Sequence, residues 1–228
     1  QAGTTTNYTY NPSIETNITG YDTQWAATVS QSSTERLFGS YSLKTITSGV
    51  TGDEGFYTPT YIGNGTYIGS AWVKGPAGAT IKTAVQGTGM GVEVNYTLNG
   101  SWQKITTNTY TESGGAAVRM RIFTVTTIQA ITWYTDGVQM EQASATTPYC
   151  DGSLTGNGTR SWSGTAHAST STCTYGQDGE INGPTWTNNG KFGKALSFNG
   201  VNKNYVKSDP QTSFPTQLSF SGWINPSS

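Results

Sequence analysis

The chain carries a single histidine, His167, and this bounds the chemistry available to it. A nucleophilic triad of the Ser–His–Asp kind would have to use that residue, and a His/Cys zinc site would lack ligands. His167 lies in a Ser/Thr-rich stretch and reads as an exposed loop histidine. Glycoside hydrolysis needs two carboxylates facing each other across a cleft. The 13 acids are scattered, and several stand in turn contexts such as Asp53-Glu54, Asp178 and Asp209. Gly87-Thr-Gly-Met-Gly91 is too short and polar for a phosphate loop and reads as a strand connection. The expectation is a chain without a catalytic site.

Two cysteines, Cys150 and Cys173, enclose a stretch of Ser, Thr and Gly too polar to bury free thiols. A disulfide between them is expected, and with it an oxidising compartment. With 11% charged residues and a net charge of −1, the chain has no basic footprint for nucleic acid. It contains no apolar run long enough to span a membrane. The opening Gln1-Ala2-Gly3-Thr4 lacks the basic and apolar regions of a signal peptide, so either a leader was removed or the chain was never exported by that route.

The elements that must position any site are strands. Thirteen Tyr, 7 Trp and 7 Phe offset a hydrophobic share of only 33%. Thr, Tyr, Trp and Val suit a pleated surface, and no sustained helical period occurs. Residues 1–10 read as an arm or first edge strand. From 11 to 142 strand-like runs alternate with turn signals, the clearest being Tyr67–Lys74, Thr80–Gln86, Val92–Leu98, Trp102–Thr107, Ala117–Val125 and Ala130–Met140. Gly75-Pro-Ala-Gly78 and Asn99-Gly100 are expected to join neighbouring antiparallel strands. Residues 143–179 read as a Ser/Thr/Gly-rich connector clipped by the disulfide. Residues 180–228 resume strand character, with Lys194–Phe198 and Gln217–Ile224 as two strands of a second sandwich that about 49 residues cannot close. The fold class is therefore all-β: a jelly-roll β-sandwich plus the incomplete N-terminal part of a second.

Alternation along Val118-Arg-Met-Arg-Ile122 points Arg119 and Arg121 outward, and along Tyr67–Lys74 it places Trp72 on the outer side. Aromatic platforms and directional polar groups are what a sugar site needs. Trp72, Arg119, Arg121 and Gln103 are thus expected on one surface as a ligand site, with burial of Trp72 against a loop or neighbouring subunit as the plainer alternative. Trp25, Trp102 and Trp133 are assigned to packing.

Five stretches, in order, resemble the carbohydrate-binding modules of families 4, 9 and 22. They are Asn11-Pro-Ser-Ile-Glu15 with Trp25, Gly39-Ser-Tyr-Ser-Leu-Lys44, Tyr67–Lys74, Gly100-Ser-Trp-Gln-Lys104 and Trp133–Glu141. The resemblance implies a structural Ca²⁺ tying first strand to last through Glu15, Asp136 and a carbonyl near Ser40, since hard Ca²⁺ takes oxygen ligands. The alternative is that both acids accept hydrogen bonds from strand-edge amides, and Gly137 stands where the family often has a second Asp. Lys191–Gly200 with Leu218–Ile224 is similar to the start of laminin-G/concanavalin-like domains. Thr147–Leu154 with Trp162–Thr172 is similar to linkers of phage tail and bacterial surface proteins. Together these imply a non-catalytic structural or adhesive subunit of an extracellular assembly, on a cell surface or virion. Its partners would be a glycan or cell-surface polysaccharide and neighbouring subunits joined by strand addition. The alternative is an accessory carbohydrate-binding region of a polysaccharide-degrading enzyme.

Overall fold

The computed structural model describes residues 3–125, 128–155, 159–174, 179–190, 193–199 and 205–208. Every regular element among them is a strand. The first are β1 (Thr4–Asn7), β2 (Asp22–Gln24), β3 (Thr28–Ser32), β4 (Ser42–Ile46), β5 (Gly55–Tyr57), β6 (Tyr61–Ile62) and β7 (Gly65–Lys74). There follow β8 (Thr80–Gln86), β9 (Val94–Thr97), β10 (Gln103–Thr106), β11 (Tyr110–Glu112), β12 (Ala117–Thr124) and β13 (Thr132–Glu141). The last are β14 (Thr159–Trp162), β15 (Ser171–Thr174), β16 (Gly179–Asn182), β17 (Thr185–Gly190), β18 (Gly193–Ser197) and β19 (Tyr205–Ser208).

The chain divides into two units, Thr4–Thr174 and Tyr175–Ser228 with Gln1–Gly3. The larger is an antiparallel jelly-roll sandwich. One sheet runs β10-β7-β13-β4-β3 with β11 beside β7, and the other runs β2-β5-β12-β8-β9 with β6 beside β12. Alternation works as expected: Ala71, Val73, Met120 and Ile122 join Leu43, Phe56, Ile81, Ile105 and Trp133 in the core between the sheets. A smaller cluster of Tyr67, Val85, Val118 and Met140 continues the core. A fully buried side chain of this size contributes about 1.5–3 kcal/mol relative to exposure. In the smaller unit, β16 pairs with β19 and β17 with β18. The expected strand at Gln217–Ile224 lies outside the described residues.

Two connections differ from the sequence expectation. The turn at Gly75–Gly78 carries the chain from β7 in one sheet to β8 in the other, and Asn99-Gly100 carries it back from β9 to β10. Both are arches over the end of the sandwich rather than hairpins. They are tied to each other, Gly78 N donating to Leu98 O at 2.8 Å and Leu98 N to Ala79 O at 2.8 Å. Gly78 and Gly100, at φ 86° and 87°, supply the left-handed backbone these sharp reversals require.

The stretch read as a featureless connector also contains order. β14 and β15 form a hairpin, and β15 pairs with the N-terminal β1 in a three-stranded sheet. Beyond Thr135, where β4 stops pairing with β13, the N-terminal segment takes over the exposed strand edge. Tyr8 N donates to Met140 O and Val138 N to Pro12 O. The Asn7 side chain spans the gap, donating to Val138 O and Cys150 O while accepting from Met140 N and Thr9 N. Covering an open edge in this way satisfies backbone groups that would otherwise template aggregation.

Candidate functional site

The outer face of the β2-β5-β12-β8-β9 sheet carries a ladder of cations and rings. Register fixes it: Tyr57 lies opposite Arg121, and Phe123 opposite Lys82. The Arg119 guanidinium sits 3.6 Å from the centre of the Tyr57 ring. That of Arg121 lies between two rings, 5.3 Å from Tyr57 and 4.3 Å from Phe123. Lys82 Nζ is 4.7 Å from the centre of the Phe123 ring. β5 can approach β12 closely because residue 55 is glycine; a Cβ there would stand 2.5 Å from Phe123 Cα.

Polar anchors hold the ladder in place. Arg121 Nε donates to Gln24 Oε1 at 3.1 Å, and one of its terminal nitrogens contacts Met90 Sδ. Lys82 bridges Asp53 at 2.9 Å and Glu93 at 2.8 Å. Burial works against the Lys82 charge, but its two carboxylates outweigh that and its pKa ends above the ordinary lysine value. Neither Arg119 nor Arg121 forms an ion pair with any described acid. At the end of β2, directly after Gln24, Trp25 holds a left-handed φ of 56° and leaves its side chain 70% exposed. This corrects its assignment to packing; a bulky residue held in that backbone region and offered to solvent marks a functional position more often than a core one.

Of the four residues expected to share a surface, only Arg119 and Arg121 do. Trp72 belongs to β7 in the opposite sheet, on its outer side. Its indole packs edge-on against Phe38 at 6.5 Å, and Phe38 stacks on Tyr149 at 4.5 Å. Trp72 is half-buried beside the β3–β4 loop that carries Phe38. Gln103 sits at the arch, where its side chain bonds Asn99 N and Thr97 O and serves the turn. Trp133 is wholly buried in the core, as expected.

Glu15 and Asp136 converge on the loop between β3 and β4. Glu15 accepts hydrogen bonds from Ser40 N and Tyr41 N, all at 3.0 Å, and Gly39 leaves room for its carboxylate. Asp136 accepts from Leu37 N at 2.8 Å, Phe38 N at 2.9 Å and Gly137 N at 2.7 Å. Burial nevertheless pushes the Asp136 carboxyl up to about 7, with the nearby Glu15 charge adding to the rise. Gly137, with φ 56°, forms the bulge in β13 and makes space for Phe38, whose ring carbon a Cβ would meet at 2.6 Å. No described cation pairs with either acid. Among the described residues no group of three or more His, Cys, Asp or Glu could hold a metal, so an ion at this place would take these two carboxylates plus main-chain oxygens or water.

Cys150 and Cys173 are bonded, with Cα atoms 5.7 Å apart. The bridge fixes the β14–β15 hairpin over the sandwich, where buried Gln139 and Glu141 receive it. Gln139 accepts from Cys150 N, and Glu141 accepts from Thr5 Oγ1 and from the Thr147 hydroxyl and amide. His167 at the hairpin tip is half-buried, not a free loop residue. Its two ring nitrogens bond Ser13 Oγ at 2.9 Å and Ser153 Oγ at 3.1 Å, and the ring packs on Trp162. With both nitrogens engaged by hydroxyls and no carboxylate orienting it, the arrangement lacks the third member of a catalytic triad.

No protein-family model and no curated protein sequence matches the chain. Solved structures are similar at low identity. The xylan-binding module CBM22-2 of Paenibacillus barcinonensis Xyn10C is 20% identical over 59% of this chain and 98% of its own, with a TM-score of 0.47. TmCBM61, solved in complex with β-1,4-galactotriose, is 18% identical over 60% of this chain and 99% of its own, at 0.44. The arabinose-bound arabinofuranosidase MgGH51 is 12% identical over 59% of this chain but only 26% of its own, at 0.49, so this chain spans about a quarter of that enzyme. These likenesses carry no argument about what this chain binds.

Proposed function

We propose that the Thr4–Thr174 unit is a non-catalytic glycan-binding sandwich displayed outside the cell, and that its binding face is the Tyr57–Arg119 surface, backed by nearly buried Arg121 and the buried Phe123 ring, with Trp25 at the end of the edge strand. The observation that carries this reading is the ladder itself. Guanidinium groups pre-oriented on rings present donors at little further entropic cost, which suits a hydroxyl-rich ligand. The exposed Trp25 ring supplies the apolar face on which a sugar's C–H surface stacks. The Cys150–Cys173 bridge supports an oxidising setting.

The reading extends to a subunit of a surface or virion assembly in which neighbouring copies add strands; the accessory region of a polysaccharide-degrading enzyme is the rival context. A native mass measurement separates them, because an assembly subunit self-associates and a domain of a larger enzyme comes from a heavier chain. We further propose Ca²⁺ at Glu15 and Asp136. Two acids drawn together without a described counter-charge, each keeping lone pairs beyond its amide bonds, fit a hard cation. The chemistry the ion would supply is structural: it would neutralise that pair and pin the 37–41 loop.

Binding to immobilised soluble polysaccharides tests the face. Trp25→Ala and Arg119→Ala should each weaken retention while Trp72→Ala leaves it unchanged. Loss of retention in Trp72→Ala alone would move the site to the other sheet and sink the assignment.

A further inference from the structure

The ladder face is built from donors that lack acceptors. Each guanidinium carries five N–H groups. Arg121 commits Nε to Gln24 and one terminal nitrogen to Met90, and the described hydrogen bonds include none from Arg119. Arg121 is only 8% exposed. A guanidinium so nearly buried is ordinarily matched by a carboxylate, because unmatched charge loses hydration. Ring faces offset part of that loss. Of the acids on this sheet, Asp53 and Glu93 are both committed to Lys82, while Asp22, opposite Tyr57 on the edge strand β2, is exposed and forms no ion pair with either arginine. Alternation places the two arginines side by side on one face, about 7 Å apart along β12.

We infer that this face selects acidic polysaccharides, chains bearing uronic-acid carboxylates, over neutral ones; the inference rests on the glycan-binding reading above. A carboxylate is planar and accepts two parallel N–H bonds, the geometry of the guanidinium fork. The ligand's carboxylate belongs at the Arg119 end, since at the Lys82 end two carboxylates already surround one ammonium. Gln86, opposite Arg119 on β8, adds a buried side-chain carbonyl with no partner, an acceptor for a neighbouring sugar hydroxyl. Met90, 49% exposed, touches Arg121 and adds apolar surface for a sugar ring, while the exposed Trp25 follows Gln24 at the Phe123 end of the sheet. The chain's net charge is −1, so the attraction is local to this face and not a property of the whole surface.

Titration calorimetry of the full chain against four probes tests the inference: polygalacturonate, the same polymer fully methyl-esterified, neutral xylan and dextran sulfate. Polygalacturonate should bind at least about tenfold more tightly than its ester or xylan. Arg119→Gln should remove that advantage, and Arg119→Lys, which keeps the charge but not the fork, should restore only a minor part of it. Far-UV circular dichroism and melting temperature should match the parent for both variants. Equal affinity for acid and ester would overturn the acidic selection while leaving the glycan reading standing. No binding to any probe would sink both. Dextran sulfate binding as tightly as polygalacturonate, with Arg119→Lys behaving as the parent, would replace carboxylate recognition by simple charge attraction and overturn the inference.

Discussion

Glu54 offers the sharpest physical test, because one buried carboxylate organises the loop that presents Asp53 to the ladder. Its side chain accepts from Ser48 Oγ at 2.7 Å, Thr51 N at 3.0 Å and Val50 N at 3.1 Å, and also from Ser48 N. Its main chain is tied to Thr124 in both directions. Burial works to raise the pKa, but the hydrogen bonds outweigh it and hold the carboxyl down to about 2. Glu54→Gln keeps the shape but turns one acceptor into an NH₂ that faces an amide donor. One charge-assisted bond is lost and the others become neutral, a cost of about 2–3 kcal/mol. For a domain of this size that corresponds to a melting temperature lower by about 5–10 °C. The penalty must also depend on pH. A depressed carboxyl contributes stability that is present above its unfolded pKa and is lost as pH falls through the folded value, here about 2. The variant does not titrate at this position. Melting curves of parent and variant should therefore lie far apart at pH 6 and converge as pH falls toward 2. A gap of the same size at both pH values, or none at pH 6, would refute the role given to this carboxylate.

Two further outcomes follow from the same unit. Replacing Cys150 and Cys173 together by serine should cost about 3 kcal/mol by the chain-entropy estimate for a loop of this length, read as an earlier unfolding transition; an unchanged transition would mean that Asn7, Gln139 and Glu141 hold the hairpin unaided. Adding Ca²⁺ to chelated protein should raise the melting temperature, by an amount equivalent to about 2.7 kcal/mol at a hundredfold excess over the dissociation constant, and the rise should vanish in Glu15→Gln. No response to Ca²⁺ or EDTA in the parent would leave both acids as acceptors of loop amides only.

Much of the sandwich was legible because its signals are local. Period-two alternation in 67–74 and 118–122 assigned inward and outward faces correctly, and β8 begins and ends where its sequence run does. The disulfide was legible for a similar reason, as two cysteines in a polar stretch have few other uses. The β14–β15 hairpin was not, because its Thr- and Ser-rich sequence buries little apolar surface and is ordered by pairing with β1, which the sequence offered as an arm or edge strand, and by the bridge. His167 likewise has an unremarkable sequence context, and its partners Ser13 and Ser153 come from remote segments.

The candidate site was half legible, and the missing half has a geometric cause. Alternation states which side of its own sheet a residue faces, but not which sheet its strand joins. In this topology the chain changes sheets at Gly75–Gly78, at Asn99-Gly100, between β11 and β12 and again between β12 and β13. Trp72 and Arg121 both face outward, yet they do so on opposite surfaces, so a correct reading of each residue gave an incorrect pair. The true ring partners of the arginines, Tyr57 and Phe123, come from β5 and from β12 itself. Phe123 was within reach of the sequence, since it follows Arg119 and Arg121 at the same two-residue spacing. Tyr57 was not, because β5 is three residues long and reads as a turn around Asp53-Glu54. What fixes Tyr57 under Arg119 is the absent side chain of Gly55, which lets β5 lie against β12; a glycine that looked like loop composition is the residue on which the face depends.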